Sequence, residues 1–89
     1  MSITMIATIQ VADFDDWKAA FDSLENDRAE AGIHAKAYRN IDDTNIAIGI
    51  VTAPTKEIVM AFFSRPEMQE IMKNANVLAP PEMTFLEEA

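Results

Sequence analysis

The sequence predicts an α+β protein: a four-stranded antiparallel sheet with helices packed on one face. Three observations lead there. Residues 12–32 carry one apolar stripe at helical spacing, the segments around them alternate with the period of a strand, and the elements run strand, helix, strand, strand, helix pair, strand. At 89 residues there is room for one domain, spanning 1–89, and not for a second independent core.

Residues 2–11 open the chain as a strand. Ile3, Met5, Ala7, Ile9 and Val11 form one wholly apolar face, and Thr4, Ile6, Thr8 and Gln10 a mixed one. Such a strand belongs inside a sheet covered on both sides. The helical stripe follows, through Phe14, Trp17, Phe21 and Leu24, with Arg28 continuing the row. Asp13 stands at the N-cap position, Asp16 complements the amides of the first turn, and Gly32 supplies the stop. One helix is expected over this stretch.

Residues 33–41 form the next strand. Ile33, Ala35, Ala37 and Ile41 share a face with Arg39, which is expected to pair with an acidic helix residue or reach the cavity edge. His34, Lys36, Tyr38 and Asn40 point the other way. Asp42, Asp43, Thr44 and Asn45 make a turn, and 46–53 is a third strand rich in β-branched residues. Pairing Ile41 with Ile46 sets Ala37 against Ile50, Tyr38 against Gly49 and His34 against Ala53. That register turns Ile46, Ile48 and Ile50 toward the helices.

Thr55 and Lys56 open a second helical segment carrying Ile58, Val59, Phe62 and Phe63. Ser64-Arg65-Pro66-Glu67 reads as a capping box starting a third helix, with Met68, Ile71, Met72 and Ala75 inward. Asn76 is a helix stop, Val77 and Leu78 pack back, and Pro80-Pro81 forces an extended linker. Residues 82–88 are a last strand with Met83 and Phe85 inward. The βαββαβ order is ferredoxin-like. The second sheet face, with Thr4, Ile6, Thr8, His34, Lys36, Tyr38 and Leu86, is too apolar to be bare and too polar for a dry core. Two such faces packed across a two-fold axis form a dimeric α/β barrel with a lined cavity, so a homodimer is expected.

Asp-Phe-Asp-Asp-Trp-Lys-Ala-Ala-Phe-Asp at the first helix, Tyr-Arg-Asn-Ile-Asp-Asp-Thr-Asn at the hairpin and Phe-Phe-Ser-Arg-Pro-Glu-Met before the third helix, in this order of elements, resemble the small dimeric α+β barrel proteins. These include the antibiotic biosynthesis monooxygenase-like group and short proteins labelled cyclases. The resemblance covers nearly the whole chain. It implies the fold and a range of activities, from cofactor-free oxygenation to haem degradation and isomerisation, without choosing among them.

Composition narrows the partners. A net charge of −8 opposes phosphate backbones and anionic membranes, so neither nucleic acid nor membrane is expected as a partner. The absence of cysteine excludes disulfides, thiolate metal sites and thiol nucleophiles. The first residues lack a basic segment and a long apolar run, and no stretch has the length of a membrane span, so a cytoplasmic protein is expected. There is no glycine-rich phosphate loop and no metal-spaced cluster. The sole histidine argues against zinc, and no cofactor is expected.

His34 is the candidate catalytic residue, a general base for a small acidic phenol or lactone; its plainer reading is a hydrogen-bonded residue starting a strand. Tyr38, Thr4, Thr8 and Lys36 are the candidate ligand-binding groups, or simply strand residues. Trp17, Met68 and Met72 read as core. Three functions follow: a homodimer binding a small apolar or aromatic molecule in the barrel cavity; a cofactor-independent monooxygenase or isomerase/cyclase acting on an aromatic or polyketide-like substrate; or an interaction module with no cavity.

Overall fold

The computed structural model describes residues 2–89. The sheet grows outward from β1 (Ile3–Gln10), which pairs antiparallel with β3 (Ile46–Ala53) on one side and β4 (Glu82–Leu86) on the other. β2 (His34–Arg39) closes the order β2-β3-β1-β4. α1 (Phe14–Ser23) and α2 (Glu25–Glu30) lie between β1 and β2, and α3 (Lys56–Phe63) and α4 (Pro66–Asn74) between β3 and β4. Met5, Ala7, Ile9 and Val11 are buried with Trp17, Val59, Phe62 and Met68, so the helices cover the face of β1 that the alternation predicts. This is the ferredoxin-like α+β fold.

The helix starts and stops obey local chemistry. The Asp13 carboxylate accepts from the Asp15 and Asp16 amides at 2.8 and 3.4 Å. Gly32 takes φ 78°, and the amides of Gly32 and Ile33 donate to the carbonyls of Ala29 and Arg28. Asn76, at φ 60°, ends α4 in the same way through Lys73 and Met72. Both are left-handed stops of the Schellman kind.

Four details differ from the sequence expectation. The 12–32 helix is two helices, broken at Leu24, where φ is −97° and ψ 4°. Ser64 does not cap α4; it closes α3, its hydroxyl donating to the Met60 carbonyl at 2.6 Å, and Arg65 occupies the α4 N-cap without a side-chain bond. Arg39 has no ion pair among the described residues and lies over the Phe14 ring, 5.3 Å from its centroid. The fourth is the hairpin register. Tyr38 faces Ile48, Ala37 faces Gly49, and His34 faces Thr52, one residue away from the expected pairing.

The loop explains the slip. The Asn40 side chain accepts from the Asp42 and Asp43 amides, the Asn40 amide donates to the Ile46 carbonyl, and Ile41 is thrown into the loop, 93% exposed. Asn45 then clasps the loop to the end of β1, its amide nitrogen donating to the Val11 and Ala12 carbonyls at 3.1 Å each. A one-residue slip moves every side chain of a strand to the other face. Ala47, Gly49, Val51 and Ala53 therefore face the helices, while Ile46, Ile48, Ile50 and Thr52 join the open face.

Replacing Asn45 with alanine is expected to destabilise the fold by roughly 1–2 kcal/mol through the two lost side-chain bonds. Thr44→Ala, in the same turn, is expected to stay within about 0.5 kcal/mol of the parent. Urea unfolding of both variants checks the contrast.

Candidate functional site

Between the sheet and the helices lies a narrow, almost wholly apolar cavity. Its volume is about 70 Å³, measured as space open to the centre of a water-sized sphere, several times the ~10–15 Å³ that one water needs on that measure. The sheet floor is built from small residues. Ala7, Ala35 and Gly49 line it, and Ala7 and Gly49 are direct cross-strand partners. Trp17, Phe21 and Leu24 roof it from the first helix stripe, and Met68, Ile71 and Met72 close it from α4. The aromatic roof is a stack: Phe14 to Trp17 is 5.6 Å between ring centroids and Trp17 to Phe21 is 5.2 Å.

Gly49 gives the floor its depth. No turn or left-handed angle requires a glycine there, and a β-carbon built on it would meet nothing within 4 Å. A glycine inside a strand costs roughly 0.5–1 kcal/mol relative to alanine, so this position trades stability for open space.

Arg28 is the one polar side chain in the lining. It is 5% exposed, the only buried charged residue among those described. Its Nη1 donates to the Phe21 carbonyl at 2.8 Å, bridging the break between α1 and α2, and the guanidinium lies 4.0 Å from the centroid of the Phe21 ring. Burial lowers its pKa, against the opposing fields of Glu25 and Asp22. No carboxylate among the described residues lies within ion-pair distance, and Nε and Nη2 have no protein partner there.

The five residues singled out from the sequence lie on the opposite, open face of the sheet. The strand registers put His34, Thr52, Thr4 and Leu86 in one row, Lys36, Ile50, Ile6 and Thr84 in the next, and Tyr38, Ile48, Thr8 and Glu82 in a third. His34 and Thr4 are thus two strands apart, about 10 Å at the usual strand spacing, as are Tyr38 and Thr8. No hydrogen bond joins any of the five side chains among the described residues. His34, Lys36 and Tyr38 line a depression of about 520 Å³ along the β2 edge with Glu25 and Arg28. Among the described residues no group of three or more His, Asp or Glu side chains is placed to hold a metal ion. Arg28 escaped the sequence reading as a site residue, although a lone cation ending the apolar row Phe14, Trp17, Phe21, Leu24 was a visible signal.

No protein-family model matches this sequence, and no curated protein matches it. Solved structures do. A Bordetella bronchiseptica protein provisionally named as an antibiotic biosynthesis monooxygenase superposes with a TM-score of 0.83 at 22% identity, over 99% of this chain and 97% of that one. SnoaB, a cofactor-independent oxygenase from Streptomyces nogalater, gives 0.78 at 12% identity, over 99% and 93%. A conserved protein of Methanosarcina mazei Go1 gives 0.79 at 13% identity, over 100% and 94%. The chain has the fold of the antibiotic biosynthesis monooxygenase-like proteins. The likeness spans both chains nearly end to end, so the small-residue floor and its helical roof both lie within the superposed region.

Gly49→Ala is expected to raise stability by about 0.5–1 kcal/mol, since the new methyl enters open space and the unfolded chain loses freedom. Chemical unfolding checks this; a destabilised Gly49→Ala would mean that the cavity is not open above residue 49.

Proposed function

We propose that this protein is a homodimer through its open sheet face and that each subunit binds a small apolar or aromatic molecule in the cavity between sheet and helices. The single observation that carries the binding reading is Gly49, a mid-strand glycine with open space above it on an otherwise packed face. The dimer reading is supported by the slipped register, which sends three isoleucines of β3 outward. Ile50 is 37% exposed, Leu86 42% and Tyr38 47%, and Ile6, Ile46 and Ile48 lie among them. Such a continuous apolar patch is what a partner subunit covers. The interaction module, in which the two sheet faces pack with no barrel cavity, is the weaker reading, because His34, Lys36, Thr4 and Thr8 would then be shut into a dry seam.

A second reading is favoured by the likeness to SnoaB, a cofactor-independent oxygenase. On it the chain is a cofactor-independent monooxygenase or an isomerase/cyclase for a small aromatic or polyketide-like substrate. His34 would then remove the substrate proton, with Tyr38, Thr4, Thr8 and Lys36 orienting the substrate in the dimer barrel. The two readings put the small molecule on opposite faces of one sheet.

Native mass spectrometry of freshly purified protein, under mild and then denaturing conditions, is expected to show a dimer carrying a small molecule released on denaturation. Gly49→Leu, which fills the cavity, is expected to remove that adduct while the dimer persists. His34→Ala is expected to leave it in place; loss of the adduct in His34→Ala and its retention in Gly49→Leu would favour the barrel site instead. Ile48→Lys is expected to give a folded monomer, and a dimer that survives it would overturn the interface.

A further inference from the structure

We propose that Arg28 recognises an anionic oxygen group, a carboxylate above all, on the molecule held in the cavity, so that the ligand is a flat apolar body with one acidic end. The inference rests on the cavity being the binding site and adds the chemical class of its ligand. A guanidinium buried against aromatic rings is costly unless charged or polar partners replace the lost water. The protein supplies Arg28 with one acceptor, the Phe21 carbonyl on Nη1, and no carboxylate within ion-pair reach. No fully buried side-chain nitrogen or oxygen lacks a partner among the described residues, so the remaining Arg28 nitrogens keep some access to space. That space belongs to the cavity and to the β2-edge depressions, all of which Arg28 lines.

The free edge, Nε and Nη2, is the side of a guanidinium that donates in parallel to both oxygens of a carboxylate. The bond from Nη1 to the Phe21 carbonyl and the stack on the Phe21 ring hold the fork in place before a ligand arrives, which lowers the ordering cost of binding. Glu25 and Asp22 act on the same cation through their fields, neither within ion-pair distance of it. They soften its positive field without reaching its free edge. Trp17, Phe21, Leu24 and Met68 offer the rest of the ligand only apolar and ring surfaces. A molecule without an acidic end would leave the fork unpaired in the lining.

Trp17 lines the cavity and is the only tryptophan, so its fluorescence reports occupancy. The test compares 4-nitrobenzoate with 4-nitrotoluene, quenchers of one shape that differ by a carboxylate against a methyl group. Saturable quenching of the unmodified protein is expected at about tenfold or more lower concentration for the carboxylate. In Arg28→Met the two are expected to fall within about twofold of each other, and in Arg28→Lys, which keeps the charge and loses the fork, the preference is expected to be partial. Equal affinity of the unmodified protein for both quenchers would overturn the role of Arg28 and leave the cavity reading standing. Saturable quenching by neither would overturn both. A carboxylate preference retained in Arg28→Met would place recognition elsewhere. The comparison on the unmodified protein stands even where a substitution at Arg28 fails to fold.

Discussion

The structure depends on a mismatch of volume across one layer. The first helix and its continuation present large rings, Phe14, Trp17 and Phe21, to a sheet face whose central rows are alanine and glycine: Ala37, Gly49 and Ala7 across one row, Ala47 beside Ile9 in the next. Large against small lets helices approach a sheet closely, and close packing leaves few voids. Here the small side is taken further than the rings can fill, and a cavity remains at Gly49. The same choice empties the inner face of β3 of its bulky residues and sends Ile46, Ile48 and Ile50 outward. One distribution of volume thus creates both the pocket on one face and the apolar surface on the other.

Arg28 ties this layer to the helix break. In a continuous helix the Glu25 amide would take the Phe21 carbonyl; at the break the Leu24 amide at 3.2 Å and the guanidinium at 2.8 Å share it. The cation is therefore a structural bridge and a cavity wall at once. Glu25 and Asp22, whose fields act on it from beyond ion-pair distance, are among the acidic residues that give the chain its negative charge.

Much of the fold was legible in the sequence because its signals are local. The alternation of β1, the stripe through Phe14, Trp17 and Phe21, the Asp13 cap and the stops at Gly32 and Asn76 each follow from spacing or backbone chemistry within a few residues. The phase of β3 was not legible from hydrophobicity. In Ile-Ala-Ile-Gly-Ile-Val both alternating sets are apolar, so the period of two marks no inner face; only residue volume, read against the rings of the helix, distinguishes them. The loop decided the register through an Asn40 side-chain turn that costs one more residue than a four-residue link. The candidate site was legible in its walls and not in its space. Trp17, Met68 and Met72 read as ordinary core because a void is a property of the assembled layers, and the polar residues His34, Tyr38, Lys36, Thr4 and Thr8 drew attention to the face where polar groups are plentiful.

The place of β4 has a consequence for how the sheet is completed. Thr4 pairs with Leu86 and Thr8 with Glu82, so a strand distant in sequence covers the second edge of β1. Without β4, β1 presents a row of unpaired amides and carbonyls beside an apolar surface. A chain cut short before β4 would keep all four helices and the hairpin and still be a template for strand addition by another chain. Assembly of this sheet therefore has a vulnerable interval set by topology, which the docking of β4 ends.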